Sequence, residues 1–302
     1  MRRSLLFLLL LVINFNFNCR IVDVHLENKE NKFKVWFAPN LKSRDYLSLF
    51  KDEKDIFRKI DVFKFYVQQI TDEDYFKKLI EVDAFNVLRT YNVEIAIEAG
   101  AIKEYSCREP LILDTDIALY KLSNLSVPVS YISIDSAYLS GFFHCNNSLE
   151  ESRDIIKSYI NYFKGKGLKI GLIEPYPHFS IDELTSFVSS LDGIDHLHID
   201  LDFNAVKDRG ISLDKLYWDI SSLADLANKK DFRLGIIYTG SSIASDSCLF
   251  MNSLYNYWDW SSQIRSINGI GDIIIQSWLK DLPYNTPSTD RCAFLYFFRY
   301  IL

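Results

Sequence analysis

The sequence contains little glycine or proline, few cysteines and no excess of basic residues. Its 302 residues include 11 Gly, 7 Pro and 5 Cys, with 34 Lys+Arg against 40 Asp+Glu and a formal net charge of -6. This composition excludes a disordered chain, a disulfide-dense miniprotein and a basic nucleic-acid binder. No cysteine pair has CxxC spacing, which argues against a zinc site or a thioredoxin-like motif.

Bulky apolar residues are abundant instead. The chain is 48% hydrophobic and has 22 Phe and 18 Tyr, enough to fill a sizeable core. Its length fits one large domain or two small ones, since barrels commonly use this length as a single domain. No linker, low-complexity tract or change of composition follows residue 30. We therefore predict one domain over residues 30–302.

The N-terminus has the pattern of a secretory leader. Arg2 and Arg3 precede an apolar run from Leu5 to Ile13, and a basic start before a short apolar run is typical of a signal peptide. The run is shorter than the roughly 20 apolar residues of a membrane-spanning helix. We predict a signal peptide over residues 1–22, with an uncleaved N-terminal anchor as the alternative. The protein would then be secreted or periplasmic, with no stable membrane span after signal removal.

Eight short runs rich in β-branched and aromatic residues alternate with stretches of helical period. The starts of these runs lie roughly 28 to 40 residues apart, the size of a strand–loop–helix–loop unit in a barrel. The predicted strands are Lys34–Ala38, Val62–Tyr66, Glu94–Glu98, Val129–Asp135, Lys169–Glu174, His196–Asp200, Arg233–Tyr238 and Asp272–Gln276.

Helix-start signals lie between the predicted strands. Three pairs have the spacing of a capping box, in which a hydroxyl and a carboxylate three residues apart satisfy first-turn amides. The pairs are Thr71 and Asp74, Ser148 and Glu151, and Ser180 and Glu183. Near-continuous apolar strands such as Lys169–Ile173 imply burial on both faces, as in a parallel sheet. We therefore predict a closed (β/α)8 TIM barrel rather than an open doubly wound sheet, with a last helix from about Asp290.

Acidic residues end four consecutive predicted strands, namely Glu98, Asp135, Glu174 and Asp200. Active sites of such barrels lie at the carboxyl ends of the strands, and acids are costly to bury there unless they are paired or used. Two carboxylates facing one cavity suit glycosidic bond cleavage, because one donates a proton while the other acts as nucleophile or base. We predict Glu174 and Asp135 as the catalytic pair, with Glu98 as the next candidate acid.

Further polar and aromatic residues near the strand ends are predicted to bind the sugar. Asp200 and Asp202 would orient hydroxyl groups or tune a neighbouring pKa, and aromatic rings at the rim, with Tyr138 and Tyr176 among them, would stack on sugar rings. The other predicted substrate-binding residues are Lys64, Tyr66, Tyr238, Gln276, Trp278 and Trp36. The expected ligand is an oligosaccharide or polysaccharide, with no cofactor and no metal.

The barrel order also suggests how four cysteines pair in an oxidising compartment. Cys107 follows strand three and Cys145 follows strand four, so neighbouring loops would bring them together. Cys248 and Cys292 would lie near the starts of the last two helices. We predict a disulfide for the first pair and a second bridge for the other.

Several short motifs resemble a group of secreted bacterial glycoside-hydrolase-like barrels. These motifs are short but are spread over most of the chain: Val35–Pro39, Phe63–Tyr66, Ile95–Gly100, Ile173–Pro177, Ile275–Trp278, Leu282–Pro283 and Pro287–Asp290. The resemblance implies a TIM-barrel fold and a carbohydrate-linked role without a defined substrate. Related barrels often end strand four with an Asp-Glu pair, whereas here Ser136 follows Asp135.

Two other functions remain open from the sequence. In a metal-dependent sugar isomerase or epimerase, Glu98, Glu174 and Asp200 would hold a divalent ion, with His178 or His198 as a further ligand. Five histidines, none at HxxxH or HExxH spacing, weaken that alternative. The missing acid after Asp135 leaves a catalytically degenerate, carbohydrate-binding barrel as the other.

Overall fold

Eight parallel strands form a closed barrel in chain order. The computed structural model describes residues 33–40 and 45–302; the predicted signal peptide lies outside this range. The strands are β1 (Lys34–Ala38), β2 (Val62–Tyr66), β3 (Glu94–Ala99), β4 (Tyr131–Asp135), β5 (Lys169–Tyr176), β6 (His196–Leu201), β7 (Arg233–Tyr238) and β8 (Ile270–Gln276). Pairing of β1 with both β2 and β8 closes the sheet. The predicted (β/α)8 barrel is thus confirmed.

Helices connect the strands and cover the outside of the barrel. The α-helices are α1 (Val67–Thr71), α2 (Glu73–Glu81), α3 (Ala84–Thr90), α4 (Leu113–Asn124), α5 (Ala137–Leu139), α6 (Leu149–Lys164), α7 (Ile181–Ser189), α8 (Phe203–Asp208), α9 (Leu213–Lys230), α10 (Ser247–Trp260), α11 (Ser262–Arg265) and α12 (Phe294–Tyr300). Residues Tyr46–Phe50 and Lys54–Lys59 form 3-10 helices, and Ser140–His144 forms a turn of π-helix. Among the described residues, no helix is long and apolar enough to cross a membrane.

Two of the three predicted capping boxes are present. The hydroxyls of Ser148 and Ser180 accept hydrogen bonds at the starts of α6 and α7, and the glutamates three residues later bond back to the serine amides. The prediction for Thr71 was wrong, because Thr71 ends α1 and the Asp72 side chain caps α2. The last helix begins at Phe294 rather than near Asp290, because the preceding residues form turns.

Alternating side chains divide the core in two. Inside the barrel, one small cluster joins residues from seven strands: Trp36, Val62, Ala96, Tyr131, Ile173, Ile237 and Ile274. A much larger cluster lies between the barrel and its helices. Since successive strand residues point to opposite faces, each member of the small cluster shows which of its neighbours also face the interior. This parity positions the functional side chains described below.

Both predicted disulfides are confirmed. Cys107 and Cys145 are bonded with their Cα atoms 5.3 Å apart, and Cys248 and Cys292 are bonded with a Cα separation of 4.3 Å. The first bridge joins the loop after β3 to the end of the π-helical turn after β4. It therefore fixes two loops at the carboxyl end of the barrel.

Replacing Cys107 and Cys145 with serine is expected to lower the free energy of unfolding by about 3–4 kcal/mol. The bridge spans 38 residues, and closing a loop of that length restricts the unfolded chain by roughly this amount. Urea unfolding followed by circular dichroism measures the difference. An unchanged midpoint and slope for the double variant would show that the cross-link does not stabilise the fold.

Candidate active site

Four inward-facing positions lie nearest the carboxyl end of the even-numbered strands. They are Tyr66 of β2, Asp135 of β4, Asp200 of β6 and Gln276 of β8. Each lies two or four positions after a residue of the same strand that packs inside the barrel, and so points the same way. Those reference residues are Val62, Tyr131, His198 and Ile274. In an eight-stranded barrel, inward side chains of alternate strands share a layer. Burial, then the charges of Glu98, Asp135 and Asp200, raises the pKa of Tyr66 well above its usual value. Glu98, Asp135 and Asp200 are therefore close enough to Tyr66 to influence it electrostatically.

Asp135 has a cationic partner at this end of the barrel. Its side chain is 27% exposed, and Lys103 Nζ lies 2.7 Å from its Oδ2. Ser136 donates its hydroxyl to the other oxygen at 3.0 Å. Burial alone would lower the pKa of Lys103, but Asp135 outweighs it and raises that pKa above the usual value. Lys103 is therefore charged at neutral pH and forms an ion pair with the Asp135 carboxylate.

Asp200 keeps its proton to a higher pH than an ordinary aspartate. It is partly exposed, and burial of its carboxyl group, followed by the charges of Asp135, Asp202 and Glu98, raises its pKa to about 7. Lys64 opposes this shift but does not cancel it. The barrel thus presents one carboxylate that is ion-paired with a lysine, Asp135, and one carboxyl group whose pKa is raised to about 7, Asp200.

Glu98 belongs to a buried polar network. Its Oε2 lies 2.6 Å from Lys64 Nζ and accepts a hydrogen bond from Gln276 Nε2 at 2.7 Å, while its Oε1 accepts one from Trp278 Nε1 at 2.9 Å. Lys64 also donates to Gln276 Oε1 at 2.6 Å. The Tyr66 hydroxyl donates to the Ser277 carbonyl oxygen. These contacts occupy the Glu98 carboxylate and fix the indole ring of the partly exposed Trp278.

Glu174 does not join the inward-facing acids. Ile173 packs inside the barrel, so alternation places Glu174 on the outer face of β5. Its side chain is fully buried, and Oε1 accepts the Tyr138 amide at 2.9 Å, while Oε2 has no hydrogen-bond partner among the described residues. Burial is the main cause that raises its pKa to about 8. Glu174 thus lies on the helix-facing side of its strand, whereas Asp135 faces the barrel interior.

Two other predicted contact residues, Trp36 and Tyr238, are also away from the carboxyl-end layer of inward-facing side chains. Trp36 is buried lower in the barrel, where its ring centre lies 4.6 Å from that of His198. Tyr238 faces the helices and accepts a hydrogen bond from Ser261. The side chain of Asp202 caps α8 by accepting the Ala205 amide at 3.0 Å.

The two tyrosines that were predicted to lie at the rim also face away from the barrel interior. Tyr176 lies on the outer face of β5 and donates to Asp219 of α9. The Tyr138 ring stacks on Phe187 of α7, with centroids 4.4 Å apart. Neither ring is available inside the barrel.

A cavity of about 120 Å³ opens at the ends of β6, β7 and β8. Asp200, Asp202, Thr239 and Trp278 are among the residues that line it. A larger cavity of about 450 Å³ lies at the opposite end of the barrel, around the start of β3. Two of the residues that line it, Asp83 and Glu94, are acidic. We place the candidate site at the smaller cavity, because Asp200 lies there.

The histidines proposed as metal ligands have other surroundings. His198 is fully buried and its Nε2 lies 3.3 Å from Asp272 Oδ2, while His178 Nε2 is 3.8 Å from Asp202 Oδ2. Within residues 33–40 and 45–302, no three His, Cys, Asp or Glu side chains are grouped closely enough to hold a metal ion.

The sequence interpretation missed Lys103, the partner of Asp135. Lys103 lies in the irregular segment between β3 and α4, so no strand or helix period indicated where its side chain points. The signal that could have found it is its position four residues before Cys107. A predicted bridge to Cys145 already implied that this loop folds over the end of β4.

Comparisons with known proteins agree with the barrel. No protein-family model matches the sequence, and a search of curated proteins gave no match. Among solved structures, a modular endo-β-1,4-mannanase of glycoside hydrolase family 26 from Cellulomonas fimi is similar, at 10% identity over 84% of this chain and 68% of the other, with a TM-score of 0.55. GH26C from Muricauda sp. gives 12% identity over 82% and 79%, with a TM-score of 0.52. At such low identity, these similarities establish a shared TIM-barrel fold.

Proposed function

We propose that this protein binds a carbohydrate at the carboxyl end of its barrel and hydrolyses a glycosidic bond. The observation that carries the proposal is the unlike pair of inward-facing acids: Asp135 is ion-paired with Lys103, and the pKa of Asp200 is raised to about 7. Glycoside hydrolysis needs this division, with one carboxyl group protonated and the other ionised.

Each group then has a defined step. Asp200 donates its proton to the glycosidic oxygen as the bond to the anomeric carbon breaks, and the leaving sugar departs as an alcohol. Asp135 stabilises the positive charge that develops at the anomeric carbon and acts as nucleophile or as base for a water molecule. Lys103 and Ser136 hold the Asp135 carboxylate in place. This assignment moves the acid from Glu174 to Asp200.

Sugar binding is assigned to the groups around the 120 Å³ cavity. Trp278 is held by Glu98, and a fixed indole can pack against a sugar ring without losing rotational freedom on binding. Asp202 uses Oδ1 to cap α8, and its Oδ2, which lies 3.8 Å from His178 Nε2, is assigned to accept a sugar hydroxyl. The similarity to the C. fimi mannanase supports a carbohydrate ligand and selects β-mannan as one probe.

Export is part of the proposal. The described residues contain two disulfides, which are compatible with an extracellular protein. A secreted or periplasmic location also suits a protein that acts on oligosaccharides or polysaccharides.

Hydrolysis is expected to decline as pH rises through about 7. Asp200 must be protonated to donate, and since its pKa is raised to about 7, kcat/KM falls about tenfold per pH unit above that value. The pH profile is measured between pH 4 and 9 as new reducing ends from galactomannan, hydroxyethyl cellulose and glycol chitosan. Release of 4-nitrophenol from aryl glycosides, which depends less on a general acid, reports turnover at a single pH.

The Asp135→Asn variant provides the inactive reference for this assay. Hydrolysis by the parent that is lost in Asp135→Asn supports the proposal. Binding of a polymer without turnover by the parent would indicate a degenerate, carbohydrate-binding barrel instead. Activity that rises with pH up to 9 would contradict Asp200 as the acid.

A further inference from the structure

Two phenylalanines are exposed next to each other at the carboxyl end of the barrel. Phe142 is 48% exposed and Phe143 is 58% exposed. Their rings meet edge to face with centroids 5.1 Å apart. Exposing adjacent aromatic rings is unfavourable in water, so the pair calls for a ligand or a structural reason.

Their backbone is held rigidly. Both residues belong to the π-helical turn Ser140–His144, and such turns are frequent at functional sites. The next residue, Cys145, is bonded to Cys107. Buried Asn147 then donates its side chain to the Cys107 carbonyl oxygen at 2.9 Å. The exposed rings are therefore presented by a cross-linked segment that loses little conformational freedom on binding.

The rings rest on buried aromatics. The Phe143 ring centre is 5.8 Å from that of Phe179, which follows β5, and the Phe142 ring centre is 6.3 Å from that of Tyr138. Tyr138 and Phe179 pack on each other at 4.4 Å. This support keeps the Phe142 and Phe143 rings at the surface.

The position of the pair connects it to the candidate site. The π-helical turn begins five residues after Asp135, in the loop that leaves β4 at the carboxyl end. The cavity with Asp200 and Trp278 lies across the same end, at β6 to β8. The turn, Asp135 and the cavity therefore all lie at the end of the barrel where the carbohydrate site is proposed.

We propose that Phe142 and Phe143 form an outer subsite that holds a sugar unit of an oligosaccharide or polysaccharide by contact with its C–H face. The inference rests on the proposed carbohydrate-binding function and adds that the ligand is a chain of several units rather than a single sugar. The rings supply apolar area, and the absence of a charged group in the pair suits a neutral sugar face.

The surroundings favour a carbohydrate over a membrane or a protein. Glu150 and Glu151 begin α6 just after the turn, and Glu183 acts electrostatically on Tyr138. Glu150 is paired with Arg153 and Glu151 with Arg108, so the start of α6 has no excess of positive charge of the kind that attracts anionic lipids. Two rings also fall far short of the roughly 800 Å² per partner that a stable protein interface buries.

The test measures polymer binding without turnover. In the Asp135→Asn background, we compare Phe142→Ala/Phe143→Ala with Tyr120→Ala by affinity electrophoresis in galactomannan, hydroxyethyl cellulose and glycol chitosan. Tyr120 is a matched control, because it is 68% exposed but lies in the last half of α4, towards the opposite end of the barrel. Loss of two aromatic contacts is expected to weaken binding of at least one polymer about tenfold or more, with no change for Tyr120→Ala. Circular dichroism and gel filtration check the fold and the oligomeric state.

The outcomes separate this inference from the proposed hydrolysis. Equal retardation of the parent background and the double phenylalanine variant, or no retardation by any polymer, would overturn the outer subsite. A change of oligomeric state in the double variant would overturn it in favour of a protein contact. Hydrolysis of aryl glycosides by the active protein would still uphold the catalytic proposal in each case. Polymer binding that depends on the two rings, without hydrolysis, would uphold the subsite and reject the catalysis.

Discussion

Replacing Asp200 with asparagine is expected to lower kcat for glycosidic hydrolysis by about 10²–10⁴-fold, the contribution typical of a positioned general acid. Asparagine has nearly the same shape but carries no acidic proton. Asp200 is partly exposed at the mouth of the cavity, so the substitution leaves the barrel core intact. Substrate binding, measured as KM, should change much less than kcat.

The pH profile distinguishes an acid from a residue that only orients the sugar. Because the pKa of Asp200 is raised to about 7, the parent should lose activity above that pH, and the variant's residual activity should lack this decline. Asp154→Asn is the matched control, since its side chain is 63% exposed on α6. A variant that keeps the parent's kcat and its alkaline decline would assign the proton donor to another group.

A leaving group that needs no protonation gives a second check. Aryl glycosides with a highly acidic phenol depart without help from a general acid, so Asp200→Asn should hydrolyse them far better than it hydrolyses a polysaccharide. An equal loss on both substrates would indicate that Asp200 acts by binding or by stabilising the charged transition state.

Replacing Lys64 with methionine is expected to reduce the free energy of unfolding by about 3–5 kcal/mol, the usual loss when one partner of a buried ion pair is removed. The Lys64 side chain is fully buried, and its Nζ lies 2.6 Å from both Glu98 and Gln276. Without it, Glu98 retains only the two neutral donors from Gln276 and Trp278. The result is a poorly compensated negative charge inside the barrel.

A second substitution separates charge from packing. Lys64→Met/Glu98→Gln removes both charges, and its stability should recover most of the loss, because a neutral pair carries no large desolvation penalty. Lys166→Met is the control, since the Lys166–Asp116 pair is exposed and should contribute less than about 1 kcal/mol. Urea unfolding measures all four proteins. An equal loss in the single and double variants would mean that packing of the lysine stem, not the charge pair, stabilises this layer.

The same network links stability to the site. Glu98 both accepts the Lys64 ion pair and orients Trp278, so the double variant should bind the carbohydrate more weakly even where its fold recovers. The lower barrel carries a comparable arrangement: Asp272 is fully buried between Arg233 and His198. Its distance from the carboxyl end gives it no access to a substrate there.

The regular alternation of strand and helix patterns along the chain allowed the fold to be predicted from the sequence. All eight strands were predicted, and β1, β2 and β7 have the predicted bounds. Their positions could be read because alternating units of strand and amphipathic helix repeat eight times. β4 begins at Tyr131 instead of Val129, because Val129 and Ser130 continue the approach loop. The disulfides followed from the same order, since neighbouring units place their loops side by side.

The acids at the strand ends were also identified from the sequence, but not their roles. β5 is apolar along its whole length, from Ile170 to Tyr176 apart from Glu174, so no polar alternation revealed which residues face inward. In β6, by contrast, His196, His198 and Asp200 alternate with leucine and isoleucine, and this pattern does mark the inward face. The different parity of the two strands is the reason that Asp200, rather than Glu174, shares the cavity side with Asp135.

The sequence by itself determined the number and order of the strands, the pairing of four cysteines and the end of the barrel where acids gather, because these follow from period and chain order. Only the tertiary structure decided which acid faces the interior, which is held by Lys64 and which by Lys103. Those outcomes depend on strand register and on the loop that carries Lys103, whose sequence has no periodic pattern. A side chain's pKa and its exposure to solvent are set by neighbours that are distant in sequence.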